Sequence, residues 1–415
     1  MSSSWLARQT RNTPIRRETI GFVYSGGHPM KHTTKLYLVL FAVALQLPFA
    51  LAVQAAPSPL PIQSASAADG VPGRYIITMK PGRHAQPLIQ ARGLQARRVF
   101  ARSHAGFVAD LSAAQLEGLR RAPDVAAIEQ DRRLRMQGLE VVGSESAWGI
   151  DRIDQRSLPL SYTYSYESTG AGVNVYILDS GIDVSLPEFG GRASVAYDVL
   201  GGDGLDCHGH GTHVAGTIGS ATYGVAKQAN LHAVRVLDCD GTATVAELVD
   251  GITWVANNHL PMAVANISIG GDYSAAINAA VADLVASGVF VVVAAGNETR
   301  NACNVSPASA PAAYTVAAVD KKDVRSLISN YGSCVDAYAP GVAIKSTWPG
   351  DTAKTLSGTS MSAAHVTGVA ALYKATYGDV GAATICAWLD SHAVPNVIKS
   401  NRIGTPNLLL NMVGL

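Results

Sequence analysis

Val173-Asn174-Val175-Tyr176-Ile177-Leu178-Asp179-Ser180-Gly181 runs from a nearly continuous apolar strand straight into a turn. A strand with so little polar alternation is buried on both faces, as in a parallel sheet covered by helices. The same pattern recurs at Leu231 to Val236, Ala263 to Ile269, Val289 to Ala295 and Tyr314 to Val319. Helix-period stretches such as Thr244 to Asn257 and Ser274 to Ser287 separate them. This alternation predicts an α/β fold from about Gly143 to Leu415: a doubly wound, mostly parallel sheet with helices on both faces. Reactive groups in such folds gather at the carboxyl ends of strands, and Asp179 stands at one.

The chain has 415 residues, 48% of them hydrophobic and 15% charged, which suits a large core and two or three domains. A net charge of +1, from 32 basic and 31 acidic residues, provides no bulk field for nucleic acid or an anionic membrane. The cysteines Cys207, Cys239, Cys303, Cys334 and Cys386 form no CxxC pair, which argues against structural zinc. Met30-Lys31 opens a short basic stretch, and Leu36 to Val53 is apolar except at Gln46 and Pro48. Residues 30–56 therefore read as a secretory signal cut near Ala55; Pro48 and the small-residue exit favour this over a membrane anchor. Residues 1–29 are then an upstream extension or a misassigned start. Secretion implies an oxidising compartment, so two disulfides and one leftover thiol are expected.

Residues 57–70 read as a Pro/Ser/Ala linker. A small unit follows, residues 71–138. Tyr75 to Met79, Phe107 to Leu111 and Val125 to Ile128 read as strands, and Ser112 caps a helix. Glu129-Gln130-Asp131 and a basic patch of Arg132, Arg133 and Arg135 come after the last strand.

Two further stretches join Asp179. His210-Gly211-Thr212-His213 opens a small-residue helix, and Gly358-Thr359-Ser360-Met361-Ser362 opens another. Acid, base and hydroxyl are the parts for nucleophilic acyl transfer. His208, His210 and His213 together leave a metal cluster as an alternative, but no further acid or histidine follows at ligand spacing. Ser360 at a helix start is either an N-cap or a nucleophile whose N–H and helix dipole favour an oxyanion. Asn297, after the strand Val291 to Ala295 and Gly296, is a second oxyanion donor or a turn asparagine.

On these three motifs the chain resembles the subtilisin-type serine proteases, in their proteinase K and aqualysin branch. The resemblance implies Asp179 as orienting acid, His210 as base, Ser360 as nucleophile and Asn297 as oxyanion donor. It implies substrate-pairing edges at Gly241 and Thr242, with Ala243, and at Ser268, Ile269, Gly270 and Gly271. Ala294, Ala295 and Gly296 would form the other wall of the S1 pocket. The product would be a secreted endopeptidase of broad specificity with an apolar or aromatic P1 preference. Residues 71–138 resemble an inhibitor-type propeptide of ferredoxin-like α+β form, cut autocatalytically between about Arg135 and Ser144. The resemblance further implies the pairs Cys207–Cys239 and Cys303–Cys334, with Cys386 free. It implies structural calcium at Asp151, Asp154, Gln155, Ser161 and Thr163, and at Asp336 with the carbonyls of Pro311 and Ala313. Partners are then protein substrates and the chain's own propeptide, with a monomeric, membrane-free mature form. Three positions depart from the pattern. Ala364 stands where the family usually has Pro, Ser362 where it has Ala, and His208 where it often has Asn.

Overall fold

The computed structural model describes residues 58–101, 105–136, 139–140 and 147–415. The expected signal segment and the extension ahead of it lie outside the described residues.

The N-terminal unit comprises β1 (Ile62–Gln63), β2 (Gly70–Met79), α1 (Ala85–Ala91), β3 (Ala96–Phe100), β4 (Gly106–Asp110), α2 (Ala113–Arg120) and β5 (Val125–Met136). Its core is apolar and its own, with Ile77, Phe107, Leu119, Val125 and Ile128 buried. Ser112 and Gln115 close a capping box on α2, as expected of a Ser at that position.

β6 (Leu139–Glu140) and α3 (Trp148–Ile153) lead into the larger unit. Its strands are β7 (Asn174–Asp179), β8 (Ala193–Asp198), β9 (Asn230–Arg235), β10 (Thr242–Thr244), β11 (Ala263–Ile267), β12 (Ile269–Asp272), β13 (Phe290–Ala294), β14 (Val305–Ser306), β15 (Tyr314–Val319), β16 (Ala337–Pro340), β17 (Ile344–Trp348), β18 (Thr352–Ser357), β19 (Val394–Pro395) and β20 (Leu408–Leu409). Its helices are α4 (His210–Gly219), α5 (Val245–Asn258), α6 (Ala275–Ala286), α7 (Thr359–Tyr377) and α8 (Ala382–His392).

Among the described residues, nine strands form the central sheet in the order β19-β20-β16-β15-β13-β11-β7-β9-β8, parallel except at β19. Both faces are buried. Along β7, Val175 and Ile177 enter the core beneath α4 and α7, while Tyr176 and Leu178 enter the core beneath α5 and α6. That two-sided burial is why the strand carries no polar alternation.

Two expectations shift. The run Ala263 to Ile269 divides at Ser268, because the chain leaves the central sheet there and β12 pairs elsewhere. Within the 57–70 stretch, expected to be a linker, β1 pairs with β5. Ile62 pairs with Ile128 and Gln63 with Glu129, while the Arg133 N–H donates to the Asp69 carbonyl at 2.9 Å. Leu60 and Ile62 pack on the N-terminal core, the Leu60 carbonyl accepts from Arg120 Nε–H at 2.7 Å and Gln63 Nε2–H donates to the Tyr273 carbonyl at 2.6 Å, and together these anchor a segment whose composition reads as a tether.

Candidate active site

β7 delivers Asp179 to the carboxyl edge of the sheet, and α4 starts at His210. The His210 Nδ1–H donates to Asp179 Oδ1 at 2.8 Å, and both side chains are fully buried. The Ser180 N–H donates to the same oxygen at 2.8 Å. The approach requires glycine at Gly211, where a Cβ would lie 2.1 Å from the Gly181 carbonyl oxygen. With Nδ1 donating to the carboxylate, Nε2 keeps the lone pair a base needs. Neither His210 Nε2 nor Asp179 Oδ2 has a partner among the described residues.

Ser360 is the second residue of α7 and is buried. Its hydroxyl donates to the Ser268 carbonyl at 3.3 Å. The structure thus joins the Asp179 carboxylate to the His210 imidazole, and no hydrogen bond links that imidazole to the Ser360 hydroxyl. Such hydrogen bonds commonly close only in the reactive complex. α7 runs unbroken through Ala364, where proline would remove a backbone donor. Ser362 fits by donating to the Ala339 carbonyl at 3.0 Å.

Thr359 decides how Asn297 faces. The Thr359 N–H and Oγ1–H donate to Asn297 Oδ1 at 3.0 and 3.2 Å, and Thr359 Oγ1 accepts from the Gly296 N–H at 3.0 Å. With Oδ1 committed to two donors the amide flip is fixed, and Nδ2 is left as the donor of that side chain. The Ala294-Ala295-Gly296 stretch, expected to line the S1 pocket, ends in that same contact.

The cleft beside these groups is filled by the chain itself. β5 runs antiparallel between β10 and β12, with Arg135 opposite both Thr242 and Gly270 and Met136 opposite Ile269. Leu134 is buried against this edge, and a Cβ on Gly271 would lie 2.6 Å from Leu134 Cδ2. Beyond it, Leu139 of β6 pairs with Ser357 of β18, three residues before Ser360. The Arg132, Arg133 and Arg135 stretch, expected to follow the last strand, is therefore part of that strand. Its backbone partners are Asp69 and Gly70 together with β10 and β12 of the larger unit, and no apolar alternation of its own announces them.

Two carboxylates of β5 hold the helices that flank the cleft. Glu129 Oε1 accepts from Ser274 Oγ–H at 2.9 Å and the Ala276 N–H at 3.2 Å, at the start of α6. Asp131 Oδ1 accepts from the Ala246 N–H at 3.1 Å, at the start of α5. Negative charge is favoured at both places by the unpaired N–H groups and the helix dipole. Burial works the other way, pushing the Glu129 carboxyl up and Asp131 up to about 6, against the lowering by their hydrogen bonds. Arg98 adds an ion pair to Asp250 on α5 at 2.9 Å.

The histidine-cluster alternative does not gather. Among the described residues no three His, Cys, Asp or Glu side chains are grouped to hold a metal. His213 Nε2 points instead to the carbonyls of Ile344 and Lys354, each at 3.1 Å. Burial holds His213 neutral, its pKa lowered to about 3, and likewise His365, lowered to about 4. Both folded values lie below that of an unfolded histidine, near 6.5, so their stabilisation is complete above that pH and lost as pH falls. By pH 4.5 the two together should remove about 5 kcal/mol. Denaturant midpoints at pH 8 and pH 4.5 measure this, and equal midpoints would refute it.

The first expected calcium set does come together. Asp151 Oδ1 accepts from the Ser161 N–H and Oγ–H at 3.1 and 3.0 Å, Gln155 Oε1 from the Ser161 N–H at 3.0 Å, and Ser161 Oγ lies 2.8 Å from Thr163 Oγ1. Asp154 Oδ1 is buried without a partner among the described residues, and burial, with the Asp151 charge adding to it, pushes that carboxyl up. An orphaned carboxylate oxygen in an oxygen-rich loop fits a hard cation. In the second set, Asp336 Oδ2 accepts from the Thr315 N–H at 2.8 Å, just beyond Pro311 and Ala313. Disulfides join Cys207 to Cys239 and Cys303 to Cys334, and Cys386 is free.

Comparison with known proteins agrees with this layout. Residues 170–414 match the subtilase family and residues 90–137 match the peptidase inhibitor I9 family. An extracellular serine proteinase of Thermus sp. (strain Rt41A) is 43% identical over 379 residues, covering 84% of this chain and 92% of that protein. The alkaline serine protease ver112 of Corniculantispora psalliotae is 42% identical over 381 residues, covering 89% and 98%. The crystal structure of a cold-adapted subtilisin-like serine proteinase superposes with a TM-score of 0.64 at 46% identity, covering 66% of this chain and all of that one.

Proposed function

Because this chain belongs to the subtilase family, we propose that it is a secreted serine endopeptidase made as a self-cleaving precursor, with Ser360 as nucleophile, His210 as base and Asp179 as orienting acid. The observation that carries the reading is the Asp179–His210 hydrogen bond, with Nε2 unpartnered, beside a cleft in which a peptide strand already lies.

In the reaction Ser360 Oγ attacks the peptide carbonyl carbon as its proton passes to His210 Nε2. Asp179 stabilises the imidazolium so formed and does not take the proton. The oxyanion is met by the Asn297 amide and the N–H at the head of α7. His210 returns the proton to the leaving amine, and water then hydrolyses the acyl-enzyme by the same relay. Substrates add as a strand between β10 and β12, so main-chain bonds bind any extended peptide. The small residues Ala294, Ala295 and Gly296 at the S1 wall favour apolar or aromatic P1 groups.

β5 and β6 enter and leave the cleft as a substrate would. Because β5 reaches Met136 and β6 resumes at Leu139, we infer that the first cut falls between these two residues, inside the broader span expected from the sequence. Treating the secreted product with a sulfonyl fluoride and measuring its intact mass tests the whole reading. The expected mass starts at residue 137, 138 or 139, includes two disulfides and carries one adduct, on Ser360. Absence of that adduct, or a peptide-library profile that demands Arg or Lys at P1, would count against it.

Calcium supplies no step of this chemistry. Bound by Asp151, Asp154, Gln155, Ser161 and Thr163, with Asp336, Pro311 and Ala313 as the second set, it would tie surface loops to the core. Held near a hundredfold its Kd it should raise the Tm of the mature enzyme by about 5–10 °C. A Tm unmoved by chelator would show that neither set contributes.

A further inference from the structure

The base sits at the head of a helix whose first N–H groups are each held by a different side chain. The His210 N–H donates to His208 Nδ1 at 3.3 Å, the Gly211 N–H to Ser180 Oγ at 3.0 Å and the Thr212 N–H to Asp206 Oδ2 at 2.9 Å. Asp206 is the hub of this arrangement. Its Oδ1 accepts from Ser180 Oγ–H at 2.9 Å, the His208 N–H at 3.0 Å and the Gly209 N–H at 2.7 Å, and its Oδ2 also accepts from Thr212 Oγ1–H at 2.6 Å. Five donors thus converge on one half-buried carboxylate. One of them, Ser180, follows Asp179 directly and donates its own N–H to the Asp179 oxygen that holds His210. Thr212 Oγ1 in turn accepts from the Asp183 N–H at 2.9 Å, closing a second link between the two segments.

We propose that Asp206 is a positioning residue for the base: its carboxylate clamps the turn carrying Asp179 to the first turn of α4, and so sets the imidazole against its acid. This rests on the reading of Asp179, His210 and Ser360 given above. The physical reason is the match of donors to acceptor. An ionised carboxylate accepts on both oxygens, and charged acceptors at a helix N-terminus make the shorter, stronger bonds. An asparagine in the same place turns one oxygen into an NH₂ donor. That group would face either the Ser180–His208–Gly209 donors or the two of Thr212, and one link would open. A displacement of the base by a fraction of an ångström is enough to slow the chemical step.

The first self-cut is a suitable readout because it is unimolecular and contains no binding step. In full-length Asp206→Asn it should slow by about 10–100-fold. In the matured variant, counted by serine-reagent titration, kcat should fall by a similar factor with KM within about twofold. Losing a negative charge near the imidazolium should also move the acid limb of kcat/KM to lower pH by about 0.5–1 unit. Asp203→Asn, an exposed carboxylate of the same loop that accepts only from the Leu205 N–H among the described hydrogen bonds, should behave as wild type. Ser180→Ala keeps the carboxylate and removes two hydrogen bonds, the one to Asp206 Oδ1 and the one from the Gly211 N–H, so it should slow the cut several-fold with the acid limb unmoved.

If Asp206→Asn cuts itself at the wild-type rate, or loses only Tm with kcat per titrated site unchanged, the clamp is refuted. If that variant fails to fold, Ser180→Ala decides, and a wild-type rate there refutes the clamp. If His210→Ala still cuts itself, it is the triad reading that fails, and not the clamp alone.

Discussion

Ser360→Ala is expected to accumulate as an uncut precursor, with peptidase activity reduced roughly 10⁶-fold, the scale known for removing a subtilisin nucleophile. The expectation follows from how the cleft is filled. β5 holds the chain between β10 and β12 as far as Met136, and β6 holds it again from Leu139, which pairs with Ser357 close to Ser360. A strand in that position needs only the hydroxyl to be cleaved. Without Oγ, His210 has no proton to take from a nucleophile. What remains is the modest acceleration that an oxyanion site gives to water, some 10³–10⁴-fold over the uncatalysed reaction. The N-terminal unit should therefore stay covalently attached. Its contacts through Glu129, Asp131 and Arg98 do not involve Ser360, so the precursor should fold normally. Intact mass and the amino-terminal sequence of the secreted variant measure this directly. A normally matured product would mean that another protease makes the first cut.

Asn297→Leu should lower kcat by about 10²–10³-fold and leave KM nearly unchanged, again the scale known for this donor in subtilisins. The substitution keeps the side chain's size and removes the amide that the proposed mechanism sets against the developing oxyanion. Because the charge exists only in the transition state, the loss appears in kcat. One secondary effect is predictable. Asn297 Oδ1 accepts from the Thr359 N–H, one of the orphan donors at the head of α7, and its removal should cost about 1 kcal/mol of stability. Measuring Tm beside kcat separates the two. A loss confined to KM, or to Tm alone, would remove Asn297 from the oxyanion site. Asn297→Asp would keep the acceptor for Thr359 and set a negative charge against the oxyanion, so it should be at least as inactive as the leucine variant while retaining more stability.

Much of the fold was legible because burial leaves a mark in local composition. A strand covered on both faces must be apolar throughout, so Val173 to Leu178 and Tyr314 to Val319 announced β7 and β15 within a residue. Small residues after His210 and Ser360 announced α4 and α7, where helices pack closely on that sheet. Missed features lacked any such mark. The extension of β5 through Arg132, Arg133 and Arg135 depends on partners distant in sequence: Asp69 and Gly70, Thr242 to Thr244, and Gly270. The docking of residues 58–70 rests on two apolar side chains and on backbone and side-chain hydrogen bonds to distant residues such as Arg120 and Tyr273. Thr359 was read only as part of the serine motif, and its hold on Asn297 is a contact across 62 positions. Its place beside Ser360, with an asparagine needing a fixed amide, was the one available hint.

The identity of the reactive groups, their order along the chain and the sheet that carries them were written in local residue types, because periodicity and glycine placement act over a few neighbours. The tertiary structure alone decided how those groups face one another: imidazole against carboxylate, hydroxyl turned to the Ser268 carbonyl, and a strand of the N-terminal unit seated in the cleft. Those are long-range hydrogen bonds between groups that any polar sequence could supply. Only the closing of the chain on itself selects which of them form.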